Sequence, residues 1–208
     1  ITYTATLTNP AQTPVTVTLS NGSTITIAAG ETVGTVNVPT AANDVYNNPT
    51  TINTTITGAT GGNFESLVAN PTPAVTTITD SIDTSTVSLT ATPSVTEGGV
   101  LTYTATVSAP VTGTPVTVNL ANGQTIVIAV GQTSASVDFI APNNVTATNA
   151  ALSNSITSVS GGNFEQLVAD SSTVTTVVTD DPAQLDVTGL SLTATGTVAE
   201  GGSIVYTA

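Results

Sequence analysis

Glu97, Asp180, Asp181 and Asp186 are the residues of this chain best suited to chemistry, and that chemistry belongs to carboxylate oxygen. They are four of 13 acidic side chains among 208 residues that include no Lys, Arg, His, Cys, Met or Trp, for a formal charge of −13. With no imidazole, thiol or side-chain amine, the commonest general base and the Cys and Lys nucleophiles are absent. No basic side chain exists to pair with any acid. Two carboxylates about 4 Å apart near a protein surface repel by roughly 4 kcal/mol. A hard cation bound through oxygen turns that repulsion into attraction. Ca²⁺ accepts roughly 6–8 oxygens in flexible geometry, including carbonyls and water, whereas Mg²⁺ demands a regular octahedron. Calcium is therefore the expected partner.

The elements that position these acids come from a repeat. Thr13-Pro14-Val15-Thr16-Val17 returns as Thr114-Pro115-Val116-Thr117-Val118, and Gly61-Gly62-Asn63-Phe64-Glu65 returns as Gly161-Gly162-Asn163-Phe164-Glu165. Ser88-Leu89-Thr90-Ala91-Thr92 with Val95-Thr96-Glu97-Gly98-Gly99 returns as Ser191-Leu192-Thr193-Ala194-Thr195 with Val198-Ala199-Glu200-Gly201-Gly202. The offsets are 101, 100 and 103 residues, a period of one sandwich-sized domain rather than a solenoid coil. Ile1-Thr2-Tyr3-Thr4-Ala5 matches Leu101-Thr102-Tyr103-Thr104-Ala105, and Ile204-Val205-Tyr206-Thr207-Ala208 matches it again. The expected division is 1–83, a domain lacking its first strand; 84–186, a complete domain; and 187–208, the first strands of a third repeat. This phase reads as a slice of a longer tandem array, or as a subunit whose first strand comes from a neighbour.

Val, Ile and Thr dominate and suit pleated strands, while 17 Gly and 11 Pro punctuate them. The complete repeat alternates apolar and polar residues with period two. It reads as about seven strands: 86–91, 100–108, 115–120, 124–129, 133–139, about 151–159, and a long last strand ending near Val178. Asn122-Gly123 marks a tight turn. The expectation is an all-β chain of tandem immunoglobulin-like β-sandwiches, without the Cys and Trp core markers of true immunoglobulin domains. Tyr3, Tyr103 and Tyr206 fall at one repeat position on the inward face and are expected in the core. Phe64 and Phe164 are expected to pin the last strand.

In alternating strands, the end of the last strand and the turn between the first two lie at one pole. Glu97 in that turn is thus expected to meet Asp180, Asp181 and Asp186. Asp80 and Asp83 hold the corresponding place at the first domain junction, and Glu200 stands where a third repeat begins. Glu65 and Glu165 follow the turn at the opposite pole, from which Glu165 is expected to reach Asp80 and Asp83. The metal-ligand set read from the sequence is Asp80, Asp83, Glu97, Glu165, Asp180, Asp181, Asp186 and Glu200. Glu31, Asp44, Asp138 and Asp170 read as solvated surface acids.

Several functions are disfavoured. Nothing can neutralise nucleic-acid phosphates, anionic membranes repel the chain, and no apolar run approaches a membrane span. Glycoside hydrolysis by paired carboxylates would need aromatic platforms, and aromatics are 3% of the chain. The chain is not expected to be an enzyme.

The set Ser-Leu-Thr-Ala-Thr, Glu-Gly-Gly, Tyr-Thr-Ala-Thr, Thr-Pro-Val-Thr-Val, Asn-Gly, Gly-Gly-Asn-Phe-Glu and Val-Thr-Asp-Asp resembles the extender repeats of large bacterial repeats-in-toxin, LapA-like biofilm adhesins, including ice-binding adhesins. The resemblance implies tandem immunoglobulin-like domains exported to the cell surface, with calcium at the junctions stiffening the array. On this sequence it maps to Glu97, Asp180, Asp181 and Asp186, with Asp80, Asp83 and Glu200 as counterparts, while Ser81 stands where the second junction has Asp181. The expected role is an extracellular structural spacer that projects distal adhesive domains, with calcium and neighbouring repeats as partners. The alternatives are a glycan- or protein-binding module and a self-associating filament subunit completed by strand addition.

Overall fold

The computed structural model describes residues 1–145, 150–183 and 186–208. All regular elements among them are β-strands. The chain divides into two compact units, one of Ile1–Thr84 with Phe164–Gln166, the other of Ser85–Asn163 with Leu167–Ala208.

The first unit holds β1 (Thr2–Thr6), β2 (Val15–Leu19), β3 (Thr24–Ile27), β4 (Val33–Asn37), β5 (Thr50–Thr54), β6 (Ile56–Gly61) and β7 (Ala74–Ile78). They pair as β1–β4, β3–β2–β6 and β5–β7. Strict alternation decides which side chains turn inward: Val15, Val17 and Leu19 of β2 are buried and Thr16 and Thr18 exposed. Tyr3 and Ala5 of β1 and Ile25 and Ile27 of β3 complete this core, with Phe64 and Leu67 packed at its margin. The Tyr3 hydroxyl accepts a hydrogen bond from Thr54 Oγ1 at 2.9 Å, which satisfies the polar end of a buried ring.

The second unit contains β8 (Thr84–Ala91), β9 (Ser94–Thr96), β10 (Val100–Val107), β11 (Val116–Leu120), β12 (Thr125–Ile128), β13 (Ser134–Ile140), β14 (Leu152–Asn154), β15 (Ile156–Gly161), β16 (Gln166–Ala169) and β17 (Val174–Thr179). Their sheets run β13–β10–β8–β16, β12–β11–β15 and β14–β17–β9. Val87, Leu101, Tyr103, Ala105, Val107, Val116, Val118, Ile126 and Ile128 form the buried interior.

Where the sequence suggested seven strands, the sixth and seventh are each divided between sheets, and a short strand, β9, is added after the first. Pro93 separates β8 from β9, as expected of a residue with no N–H to give a ladder. Ser155 separates β14 from β15. Between β16 and β17 the chain turns at Asp170, whose carboxylate accepts the Ser172 backbone N–H at 2.9 Å and is held below its ordinary range first by the Ser172 hydroxyl and then by that backbone contact. Asp170 is therefore a turn-former.

The Asn-Gly turns form as expected, with Gly22 and Gly123 at φ 83° and 84°. Residues 187–208 contribute only the two-residue strands β18 (Thr193–Ala194) and β19 (Tyr206–Thr207). Tyr206 is exposed there, contrary to the core position its repeat register suggested, because no second sheet lies over it among the described residues. Phe164 also departs from expectation. It belongs to the first unit, where its ring stacks on Tyr46 at 5.5 Å between centroids.

Candidate cation site

The second unit's acids are brought together by strand register. β9 runs parallel to β17, pairing Ser94 with Val177, Val95 with Val178 and Thr96 with Thr179. One step further along the same register sets Glu97 against Asp180. The Glu97 backbone N–H donates to Thr179 O at 2.8 Å, and the turn closes behind it with Gly99 N–H on Thr96 O at 3.0 Å. Gly98 occupies φ 69°, a conformation that costs glycine little. A Cβ on Gly99 would stand 2.8 Å from both Thr96 O and Val95 Cγ2, so the turn has no room for a side chain there.

Glu97 is 5% exposed. Its Oε2 accepts the Asn144 backbone N–H at 3.2 Å. Asp180, which is exposed, titrates above its ordinary value of 3.8. The main cause is a hydrogen bond with the Glu97 carboxyl; partial desolvation and the Glu97 charge add to it, and the Asp186 charge contributes in the same direction. Thr96, Glu97, Gly98, Gly99, Asn143 and Asp181 line a cleft of about 230 Å³ at this pole. A carboxylate this buried normally has a cationic partner or gives up its charge. Here no side chain can supply the cation.

The first unit arranges its acids differently. The Asp80 carboxylate accepts the Asn48 backbone N–H at 2.7 Å, and Asp83 accepts the Asn43 side-chain amide. Glu165, one of the three residues from beyond the second unit's turn, accepts the Asp83 backbone N–H at 2.6 Å through Oε2. The sequence expectation joined Glu165 to Asp83, and the structure joins them. Asp44 accepts the Tyr46 backbone N–H at 2.7 Å and the Asn48 side chain at 3.2 Å. It lines one cleft of about 280 Å³ with Asn43, Asn48, Asp80 and Ser81.

The family model for the LapA domain matches residues 1–81 and again 83–181, one match for each repeat. The chain belongs to the LapA domain family. None of the curated proteins compared with the chain matches it. Membership ties the chain to adhesins.

Seen as two LapA domains, the chain pairs the Ser81–Asp181 difference with a second one in the loop before it. The first domain has Asp44 and Ser81 where the second has Asn144 and Asp181. Each LapA domain thus keeps one acid across this pair of positions. The signal was present as Asn43-Asp44 against Asn143-Asn144, but the loop's return to the pole is a tertiary fact. Among the described residues, no three acidic side chains converge closely enough to form a metal-holding group alone. Glu200 is exposed in a turn like that of Glu97, with Gly202 N–H on Ala199 O at 2.9 Å, and the hydrogen bonds of the two acid groups do not include it.

Proposed function

We propose that the chain is a structural spacer of a bacterial cell-surface adhesin, with tandem domains held extended by Ca²⁺ at the domain junctions so that distal adhesive domains reach outward. The observation that carries this reading is Glu97, buried and set beside Asp180 by the β9–β17 register in a chain without one basic side chain. The donor set is all oxygen, which suits a hard cation. Glu97, Asp180, Asp181 and Asp186 would hold the ion in the second domain, helped by the amide oxygen of Asn143. Asp80 and Asp83, with Asp44 and Glu165, would do so in the first. Carboxylates complemented by amide, backbone and water oxygens are an ordinary calcium shell.

The bound ion would supply positive charge to acids that otherwise repel, and so restrict bending between domains whose short linkers leave them free to move. An aromatic-poor, Thr-rich surface supports a spacer over a glycan-binding module. Calcium calorimetry on the wild type and on Asp180→Asn with Asp186→Asn tests the site, and small-angle scattering with and without chelator tests the stiffening. Heat of binding lost in the double variant, with a shorter maximum dimension after chelation, is the expected result. An unchanged scattering profile and unchanged melting in chelator would sink the proposal.

A further inference from the structure

Asn-Gly occurs twice in the chain, as Asn21-Gly22 between β2 and β3 and as Asn122-Gly123 between β11 and β12. The two turns share one backbone. Gly22 N–H donates to Leu19 O and Gly123 N–H to Leu120 O, each at 3.0 Å. Leu19 N–H and Leu120 N–H close the loops on Ser23 O and Gln124 O, each at 2.9 Å. Both dipeptides are exposed. Each sets a nucleophile beside an electrophile, because the glycine nitrogen follows the asparagine side-chain amide and no Cβ on the glycine hinders its approach. Attack forms a bond from that nitrogen to Cγ and breaks Cγ–Nδ2. Ammonia leaves with the glycine's proton, and a cyclic imide remains. Water then opens the ring at Cγ to give aspartate, or at the main-chain carbonyl to give isoaspartate. The asparagine side chain must first be free to turn toward the glycine nitrogen.

The two turns differ in that freedom. Asn122 Oδ1 accepts the Gln124 N–H at 3.1 Å, its Nδ2 donates to Gln124 Oε1 at 3.0 Å, and its own N–H donates to Asn154 Oδ1 at 3.2 Å. Both partners are themselves fixed. Gln124 Nε2 donates to Asp138 O at 2.8 Å, and Asn154 is 2% exposed. Of these contacts Asn21 has only the first kind, its Oδ1 accepting the Ser23 N–H at 3.0 Å. Ser23, in the place of Gln124, is too short to clamp the amide. The counterpart of Asn154 is Thr54, whose hydroxyl is spent on Tyr3.

We propose that Asn21 is a self-modification site, which converts to aspartate and isoaspartate by this route in the folded protein, and that the clamp of Gln124 and Asn154 protects Asn122 from the same reaction. The change adds one acid to the 13 already present. In its isoaspartate form it also lengthens the main chain of the β2–β3 hairpin. The pairing of Val15 with Ile27 and Val17 with Ile25, all buried, fixes the strands on either side, so the loop must absorb the extra atom.

Incubation of the 208-residue chain in mildly alkaline buffer, followed by peptide mapping with tandem mass spectrometry, tests this. Asn21 should convert about tenfold faster than Asn122, since each further hydrogen bond that must open slows the rearrangement several-fold. In urea that unfolds the chain, the two rates should converge. Gln124→Ser gives the second turn the first turn's residue, and should raise the Asn122 rate toward that of Asn21 with an unchanged circular-dichroism spectrum. No conversion at Asn21, equal rates in the folded chain, a gap that persists in urea, or an Asn122 rate that Gln124→Ser leaves unchanged would each overturn the proposal.

Discussion

The two acid groups hold the same place in the repeat and are built on opposite terms. In the first unit Asp44, Asp80, Asp83 and Glu165 each accept an N–H, from Tyr46, Asn48, Asn43 and Asp83 respectively. In the second, Glu97 accepts one N–H from Asn144 and also lies beside another acid, Asp180, whose pKa it raises. In the second unit β9 inserts Glu97 beside the end of β17. Donors alone can quiet a carboxylate, because a charged acceptor makes the stronger hydrogen bond. An acid pressed on an acid still needs a proton or a cation. The second group should therefore depend on calcium more than the first.

The largest expected effect is on that dependence. At calcium about 100 times above the dissociation constant, the second unit should gain about 2.7 kcal/mol. In calorimetry its transition should move further than that of the first unit, and Glu97→Gln should erase the gap. Equal movement of both transitions would break the comparison. Next, Gly99→Ala forces a Cβ against Thr96 O and Val95 Cγ2, an overpacking worth about 1–3 kcal/mol. Its loss should appear in the urea midpoint of the second unit only, together with a weaker calcium shift.

A smaller effect is expected from pH in the presence of chelator. Because the Asp180 pKa is raised in the folded state, chiefly by its hydrogen bond to Glu97, the folded chain binds that proton more tightly than the unfolded chain. The Asp180 contribution to stability should thus be highest in acid and decline as pH rises from the ordinary value of 3.8 through the raised one. Glu97→Gln should flatten the profile, and a profile as steep as wild type in that variant would count against the Glu97–Asp180 contact. Added calcium should reverse the trend, since the ion competes with protons for the carboxylates. The smallest effect is Glu165→Gln, which exchanges a charged acceptor for a neutral one on Asp83 N–H at a cost of about 1 kcal/mol. Glu65→Gln, at an exposed position in the other copy of the motif, should leave melting unchanged.

Much of this was legible in the residues. Alternation at Val15–Leu19 and Leu101–Val107 fixed which faces turn inward, and the Asn-Gly dipeptides fixed two turns. The meeting of Glu97 with Asp180 also followed from strand direction. Three things did not. The breaks at Ser155 and at the Asp170 turn reassign strand halves to different sheets, and periodicity of two runs through such a break unchanged, while the three-residue β9 beyond Pro93 is too short to show a period. Phe164 reads identically to Phe64, yet its ring meets Tyr46 while Phe64 packs on its own unit's core. Asp44 looked like a surface acid because only the folded loop returns it to Asn48 and the Asp80 cleft.

The parallel pairing of β9 with β17 also has a mechanical consequence. A pull on the chain enters at Thr84, at the start of β8, and leaves beyond Thr179, at the end of β17. Two neighbouring parallel strands drawn from opposite ends slide against each other. The bonds joining Ser94–Thr96 to Val177–Thr179 are then loaded lengthwise and must fail together. Glu97 and Asp180 sit one residue past the last of those pairs, so an ion held between them would act as a clasp on that loaded seam.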